Sequence, residues 1–151
     1  MSSDTETSAL ISLEATIRKS IPLSVAMQFS IEALSLDAIR TRAPLEPNVN
    51  IHGTGFAGSI YSLAVLTGWA LCTHIIDSLG FEAELVVGSA DIRYRAPVTG
   101  ALDCCCQCSS AQRDAFRQAL EKSGRGKLTL EVDVGNIPQA RLLATFYASL
   151  R

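Results

Sequence analysis

The sequence predicts an α+β domain in which a curved antiparallel sheet of five or six strands wraps around one long helix. Three observations carry this. Residues 58–79 are apolar on every side at helical spacing, with Ile60, Leu63, Ala64, Leu66, Trp69, Leu71, Cys72, Ile75 and Ile76 spread around the axis rather than along one stripe. Several other segments alternate apolar and polar residues with a period of two, and they are joined mainly by short turns rich in Gly and Pro. A helix without a wet face must be covered on most sides, and one-sided strands must bury one face; a sheet curled around the helix does both.

The chain has 151 residues, long enough for one buried core and too short for two ordinary ones, so 1–151 is read as a single domain. With 48% hydrophobic and 19% charged residues it has too much apolar material for a disordered chain. A net charge of -2 supplies no global field to attract nucleic acid, so nucleic acid is not expected as a partner.

Each element follows from local pattern. The segment 1–27 is helical: Ala9, Leu10, Leu13 and Ile17 recur at helical spacing, Pro22 stops that helix, and the same Pro opens a short turn reaching Met27. Phe29, Ile31 and Ala33 alternate as a strand, and a second extended stretch runs from Leu36 to Ala43. Pro44 to Gly55 is dense in Pro, Asn and Gly and reads as an irregular loop. The central helix follows over 58–79, with Gly80 as its stop and Asp77 and Ser78 as its first wet positions. From Leu85 to Ala96, the apolar Ala90, Ile92 and Tyr94 alternate with Asp91, Arg93 and Arg95. Leu102, Cys104, Cys106 and Cys108 share one face of the next strand, and Gln112 to Lys122 forms a short amphipathic helix through Phe116 and Leu120. Two strands end the chain, one through Leu128, Leu130, Val132 and Val134, the other through Leu142, Ala144, Phe146 and Ala148. An open sheet edge needs protection, and pairing with a second copy is the common remedy, so a homodimer or a dimer of dimers is expected.

The N-terminus carries acids before any apolar run and lacks the basic start and apolar centre of a secretory signal, which points to the cytoplasm. The segment Pro47 to Ile76 holds no charged residue, but Ser59, Tyr61, Ser62, Thr67, Thr73 and His74 interrupt it, favouring a buried helix over a membrane span. Five cysteines, four of them within 103–108, do not form the even framework of a secreted disulfide protein, and reduced thiols are expected. Alternate residues on a strand stand about 6.5 to 7 Å apart, poorly placed to share one zinc. Small side chains packing on a strand is therefore preferred to metal binding for Cys104, Cys106 and Cys108.

The chemistry is sought in the loop from Asn48 to Ser59. The amide of Asn50 and the hydroxyl of Thr54 can donate hydrogen bonds, and Gly58 and Ser59 stand where a helix start leaves backbone N–H groups free. Together they suit a hole for a developing oxyanion. The same residues equally suit the plainer task of satisfying a loop backbone, with Gly53 serving the turn.

The run Ala43-Pro-Leu-Glu-Pro-Asn48, Asn50, His52-Gly-Thr-Gly55, Phe56, Gly58-Ser59 and Tyr61 to Gly68-Trp69 resembles one thioesterase family of the hot-dog fold. Ile21-Pro-Leu, Ala26-Met27, Ile92-Arg-Tyr and Pro97-Val98 extend the match, which runs from about residue 21 to 100. That family occurs as the C-terminal half of a bacterial acetyltransferase fusion and as stand-alone chains. The resemblance implies an acyl-thioester enzyme, with decarboxylation of malonyl-acyl carrier protein to the acetyl form as one activity. It implies Asn50, Thr54, Gly58, Ser59 and Tyr61 around the thioester, with Asn48, Gly53 and Phe56 beside them. No cofactor is expected beyond the phosphopantetheine arm of the carrier protein or of coenzyme A on which the substrate rides.

Many hot-dog thioesterases carry a His-Gly-Gly loop and a helix carboxylate about nine residues on. Here Phe56 and Val65 stand in those places. The nearest acid on the helix, Asp77, lies about 28 Å along the axis from Gly58 at the usual rise per residue. Losing carbon dioxide from a malonyl thioester requires no attacking water, only donors that hold the enolate oxygen. Hydrolysis remains the alternative, with His52 or Asp91 as the base that activates water. A third reading is a non-catalytic carrier-binding module whose basic rim gathers Arg93, Arg95, Arg113, Arg117, Lys122, Arg125 and Lys127. His74, on the buried helix, is expected to be a hydrogen-bonded core histidine.

Overall fold

The computed structural model describes residues 2–151 and shows an N-terminal helical pair, α1 (Ser2–Ser20) and α2 (Pro22–Ala26), laid beside one sheet. The strands are β1 (Ser30–Leu34), β2 (Ala38–Ala43), β3 (Ala83–Tyr94), β4 (Leu102–Gln107), β5 (Arg125–Val134) and β6 (Ala140–Leu150). The central helix α3 (Ala57–Ser78) follows a short 3-10 turn over Glu46–Asn48, and α4 (Ser110–Ser123) joins β4 to β5. The six strands form one sheet in the order β1-β2-β4-β5-β6-β3, every neighbouring pair antiparallel. Helix α3 lies in the hollow of that sheet and packs on β2, β3, β4, β5 and β6. The predicted architecture is the observed one, and the central helix begins and ends one residue earlier than its sequence pattern suggests.

Packing of helix on sheet is close at two places. Gly68 has no side chain because a Cβ there would stand 2.8 Å from the ring of Phe146, which is fully buried on β6. Beside it, the buried hydroxyls of Thr41 and Thr67 meet at 2.7 Å; Thr67 donates onward to the Leu63 carbonyl, so Thr41 donates to Thr67. This pins β2 to α3 and leaves neither hydroxyl orphaned.

Leu102, Cys104 and Cys106 on β4, and Cys108 just beyond it, all turn inward beneath α3, where Cys72 is buried too. Burial pushes the Cys104 thiol up to about 12 and the Cys106 and Cys72 thiols well above their ordinary value. Only Cys105 of the five free thiols is exposed. An aromatic disulfide reagent should therefore titrate one thiol rapidly in the native protein and all five after unfolding. Rapid modification of two or more native thiols would contradict this core.

The two sheet edges are treated differently. At β1, the Glu14 carboxylate of α1 accepts the Ile31 N–H at 2.7 Å and is held by Arg18 at 2.9 Å, so the helix covers that edge. At β3, twelve residues long and paired only with β6, the outer row of backbone groups has no cover among the described residues. A bulge between Val87 and Ser89, at Gly88, resets its alternation. The ring of Tyr147 occupies the space a side chain at Gly88 would need.

Candidate active site

The candidate site is a loop, tied at three points, that delivers the start of α3. Asn48 is buried, and its amide donates to the Met27 and Pro44 carbonyls at 2.9 and 2.8 Å, stapling the loop to the end of the N-terminal helical segment. Its own carbonyl accepts the Phe56 N–H at 2.8 Å. Gly55 donates to the Val98 carbonyl at 2.8 Å, joining the loop to the turn after β3. Tyr94, at the end of β3, donates its hydroxyl to the Ala57 carbonyl at 2.9 Å and anchors the helix start itself. Sequence reasoning placed Asn48 at the substrate; the structure makes it a buried strut. The anchoring roles of Tyr94 and Val98 went unread, because each depends on a neighbour some forty residues away in the chain.

Within the loop, Asn50 organises a turn. Its side-chain oxygen accepts the N–H groups of His52 and Thr54 at 2.8 and 3.1 Å, and its amide nitrogen donates to the Thr54 hydroxyl at 2.9 Å and, more weakly, to the Gly55 carbonyl at 3.3 Å. Gly53 sits at φ +80, a backbone conformation that favours glycine in such a turn. The Asn50 amide is thus spent on the loop in this structure. The Thr54 oxygen, by contrast, accepts from Asn50, and its hydroxyl proton is left without an acceptor among the described residues. A hydroxyl that already accepts one hydrogen bond is polarised toward donating another.

Helix α3 begins without a side-chain cap, after Phe56 in extended conformation. The first N–H of the helix to find a carbonyl is that of Ile60, bonded to Phe56 at 3.0 Å, and those of Ala57, Gly58 and Ser59 at the helix start have no partner among the described residues. A Cβ at Gly58 would stand 2.5 Å from the Phe56 ring that lies over it, so a side chain there would displace the ring. The half-exposed Phe56 and the exposed Tyr61 flank this start. Ile60 and Leu63, in the first turns of α3, face the core at 3% and 1% exposure. The site therefore offers a cluster of donors: three backbone N–H groups carrying the positive end of a helix dipole, with the Thr54 hydroxyl in the adjoining loop.

Neither proposed base is brought to this cluster. His52 is at the exposed loop tip, where only its backbone N–H is bonded. Asp91 lies on the convex face of the sheet, opposite Ala90 and Ile92, and pairs with Arg93 at 3.4 Å. The alternation of β3 turns it away from α3, which corrects the expectation that it reaches the pocket. His74 is half-buried on α3 with no side-chain hydrogen bond described, and burial lowers its pKa; it is not the bonded core histidine anticipated. Among the described interactions no carboxylate bonds to any residue from 48 to 61. The basic rim does not gather either, since Arg93, Arg113 and Arg117 are each paired with a neighbouring acid.

A curled antiparallel sheet around a long helix, with uncapped donors where that helix starts, defines a hot-dog domain. The chain belongs to the family described as "Putative thioesterase (yiiD_Cterm)", whose model matches residues 10–147. It is similar to the solved structure of a "putative thioesterase from Shewanella oneidensis", at 31% identity over 96% of this chain and 99% of that one, with a TM-score of 0.86. A protein of unknown function from Chlorobaculum tepidum TLS shares the fold with a TM-score of 0.89 at 24% identity, over 93% of each chain. A Haemophilus influenzae thioesterase does so with a TM-score of 0.68 at 14% identity, over 93% of this chain and 90% of that one.

Proposed function

We propose that this protein decarboxylates a malonyl thioester to the acetyl thioester, with the acyl group carried on the phosphopantetheine of acyl carrier protein or of coenzyme A. The supporting observation is the pairing of a rich donor cluster with the lack of a carboxylate bonded to it. The thioester oxygen sits among the N–H groups of Ala57, Gly58 and Ser59 and the Thr54 hydroxyl. As the bond to the carboxylate breaks, the electron pair moves onto that oxygen, and the preset donors stabilise the enolate more than the ground state. Nothing in this step calls for activated water. Phe56 and Tyr61 cover the reacting end, and Asn50 holds Thr54 in place. The reaction would supply a two-carbon primer for fatty-acid or polyketide synthesis in the cytoplasm. We further propose that the protein works as a homodimer paired along β3, the sheet edge left uncovered.

The second reading is hydrolysis, favoured by the family's description and by the thioesterase name of the Shewanella protein. Incubating the protein with malonyl-loaded carrier protein and with malonyl coenzyme A, then weighing the products, separates the two. Decarboxylation leaves the acetyl thioester, about 44 Da lighter by loss of carbon dioxide; free malonate with unloaded carrier would overturn the proposal. Replacing His52 with Gln and Asp91 with Asn together should leave turnover unchanged in either case, given their positions outside the donor cluster.

A further inference from the structure

The donors at the start of α3 have a fixed floor and a movable wall. Beneath them the loop is closed: a Cβ at Gly55 would stand 3.1 Å from the Val98 side chain and 3.2 Å from that of Ile60, and Val98, Ile60 and Leu63 are all buried. No room is left for an acyl chain to run inward, since side chains already in contact do not part for an extra methylene without cost. Tyr94 is fixed as well, its hydroxyl tied to the Ala57 carbonyl.

The wall that remains is Phe56. Its backbone is held at both ends, the N–H by the Asn48 carbonyl at 2.8 Å and the carbonyl by the Ile60 N–H at 3.0 Å. Its ring is held by neither. Half-exposed and without a polar atom, the ring rests against Gly58, in the space that a side chain there would take. In a helix the Cα–Cβ bond tilts toward the N-terminus, the direction in which the first N–H groups also point. The ring therefore stands beside the N–H groups of Ala57, Gly58 and Ser59, and side-chain torsion alone moves it, with no hydrogen bond disturbed.

Resting on the decarboxylase reading of this site, we propose that the Phe56 ring determines which acyl groups it accepts, admitting malonyl and rejecting malonyl units that carry an alkyl branch on C2. With the thioester oxygen at the donors, C2 is one bond from the carbonyl carbon and lies between the closed floor and the ring, while the sulfur arm leads out to solvent. Malonyl has only two hydrogens on C2 beside the departing carboxylate and fits under the ring. An alkyl branch meets the floor on one side and the ring on the other. Gly58 offers an independent check. Ala at this position adds bulk, yet its methyl takes the place of the far edge of the ring, which must swing away. The helix itself is not weakened, since Ala suits it better than Gly.

The test compares malonyl and butylmalonyl thioesters, each loaded on carrier protein and on coenzyme A, with the full chain as enzyme; products are weighed and the two kcat/KM values taken as a ratio. Wild type should prefer malonyl about 10²-fold or more, and Phe56→Ala should narrow that ratio about tenfold or more, with Phe56→Leu between them. Gly58→Ala should narrow it too, although it makes the site smaller. Added to Phe56→Ala, it should narrow the ratio no further, because the ring it displaces is gone. A general loosening of the loop would instead lower both turnovers and leave the ratio where it was. An unchanged ratio in Phe56→Ala and Phe56→Leu, an unchanged ratio in Gly58→Ala, or a wild type that takes butylmalonyl as readily as malonyl overturns the proposal. A wild type that releases free malonate and butylmalonate rejects the decarboxylase reading, while the ratios still decide the role of Phe56.

Discussion

Replacing Thr54 with Val should lower turnover of the thioester about 10² to 10³-fold while leaving the protein folded. The change is nearly isosteric and removes one group, the hydroxyl whose proton has no acceptor in the loop. A single preset donor to a developing oxyanion is worth about 3 to 4 kcal/mol in the transition state and much less against the ground-state carbonyl. The loss should therefore appear in kcat, with KM little moved. Asn50 keeps its other contacts, accepting from His52 and Thr54 N–H groups and donating to Gly55, so the turn survives. Steady-state kinetics beside a thermal melt checks both halves; a fall of less than about threefold would remove Thr54 from the donor set.

Replacing Phe146 with Ala should cost about 3 to 5 kcal/mol of stability, measured by urea unfolding. The ring is fully buried on β6, between Leu128 of β5 and Val87 of β3 in the sheet register, and fills the notch that Gly68 leaves in α3. Helix and sheet meet there almost backbone to ring, so the cavity cannot be refilled by a small side-chain movement. A cost below about 1 kcal/mol would mean the helix settles into the gap and that the close approach at Gly68 is not specified by the ring.

The uncovered β3 edge connects these local effects to assembly. Natural sheets seldom leave a long edge bare, and the contrast with β1, which α1 covers through Glu14, singles out the side that a second copy would occupy.

Much of the architecture was legible because it is written in periodicity. The all-round apolar pattern of α3, the alternation of β4 through Leu102, Cys104 and Cys106, and the stops at Pro22 and Gly80 are local signals, and each element stands where they place it. The alternation of β3 even put Asp91 on the face opposite Ala90 and Ile92; what it could not say is that the helix lies on the other side. The free donors were also readable, since an Asn/Gly/Thr loop ahead of an uncapped helix leaves backbone N–H groups unpaired whatever surrounds it.

Tertiary structure alone decided how those donors are shared. Asn50 and Thr54 carry equivalent promise as letters, yet the turn consumes the amide of one and frees the hydroxyl of the other. Asn48 became a strut because Met27 and Pro44 present carbonyls to it, and the bulge at Gly88 formed where Tyr147 needed room. Hydrogen bonds are satisfied by whatever lies nearest in space, and only the folded chain says what that is.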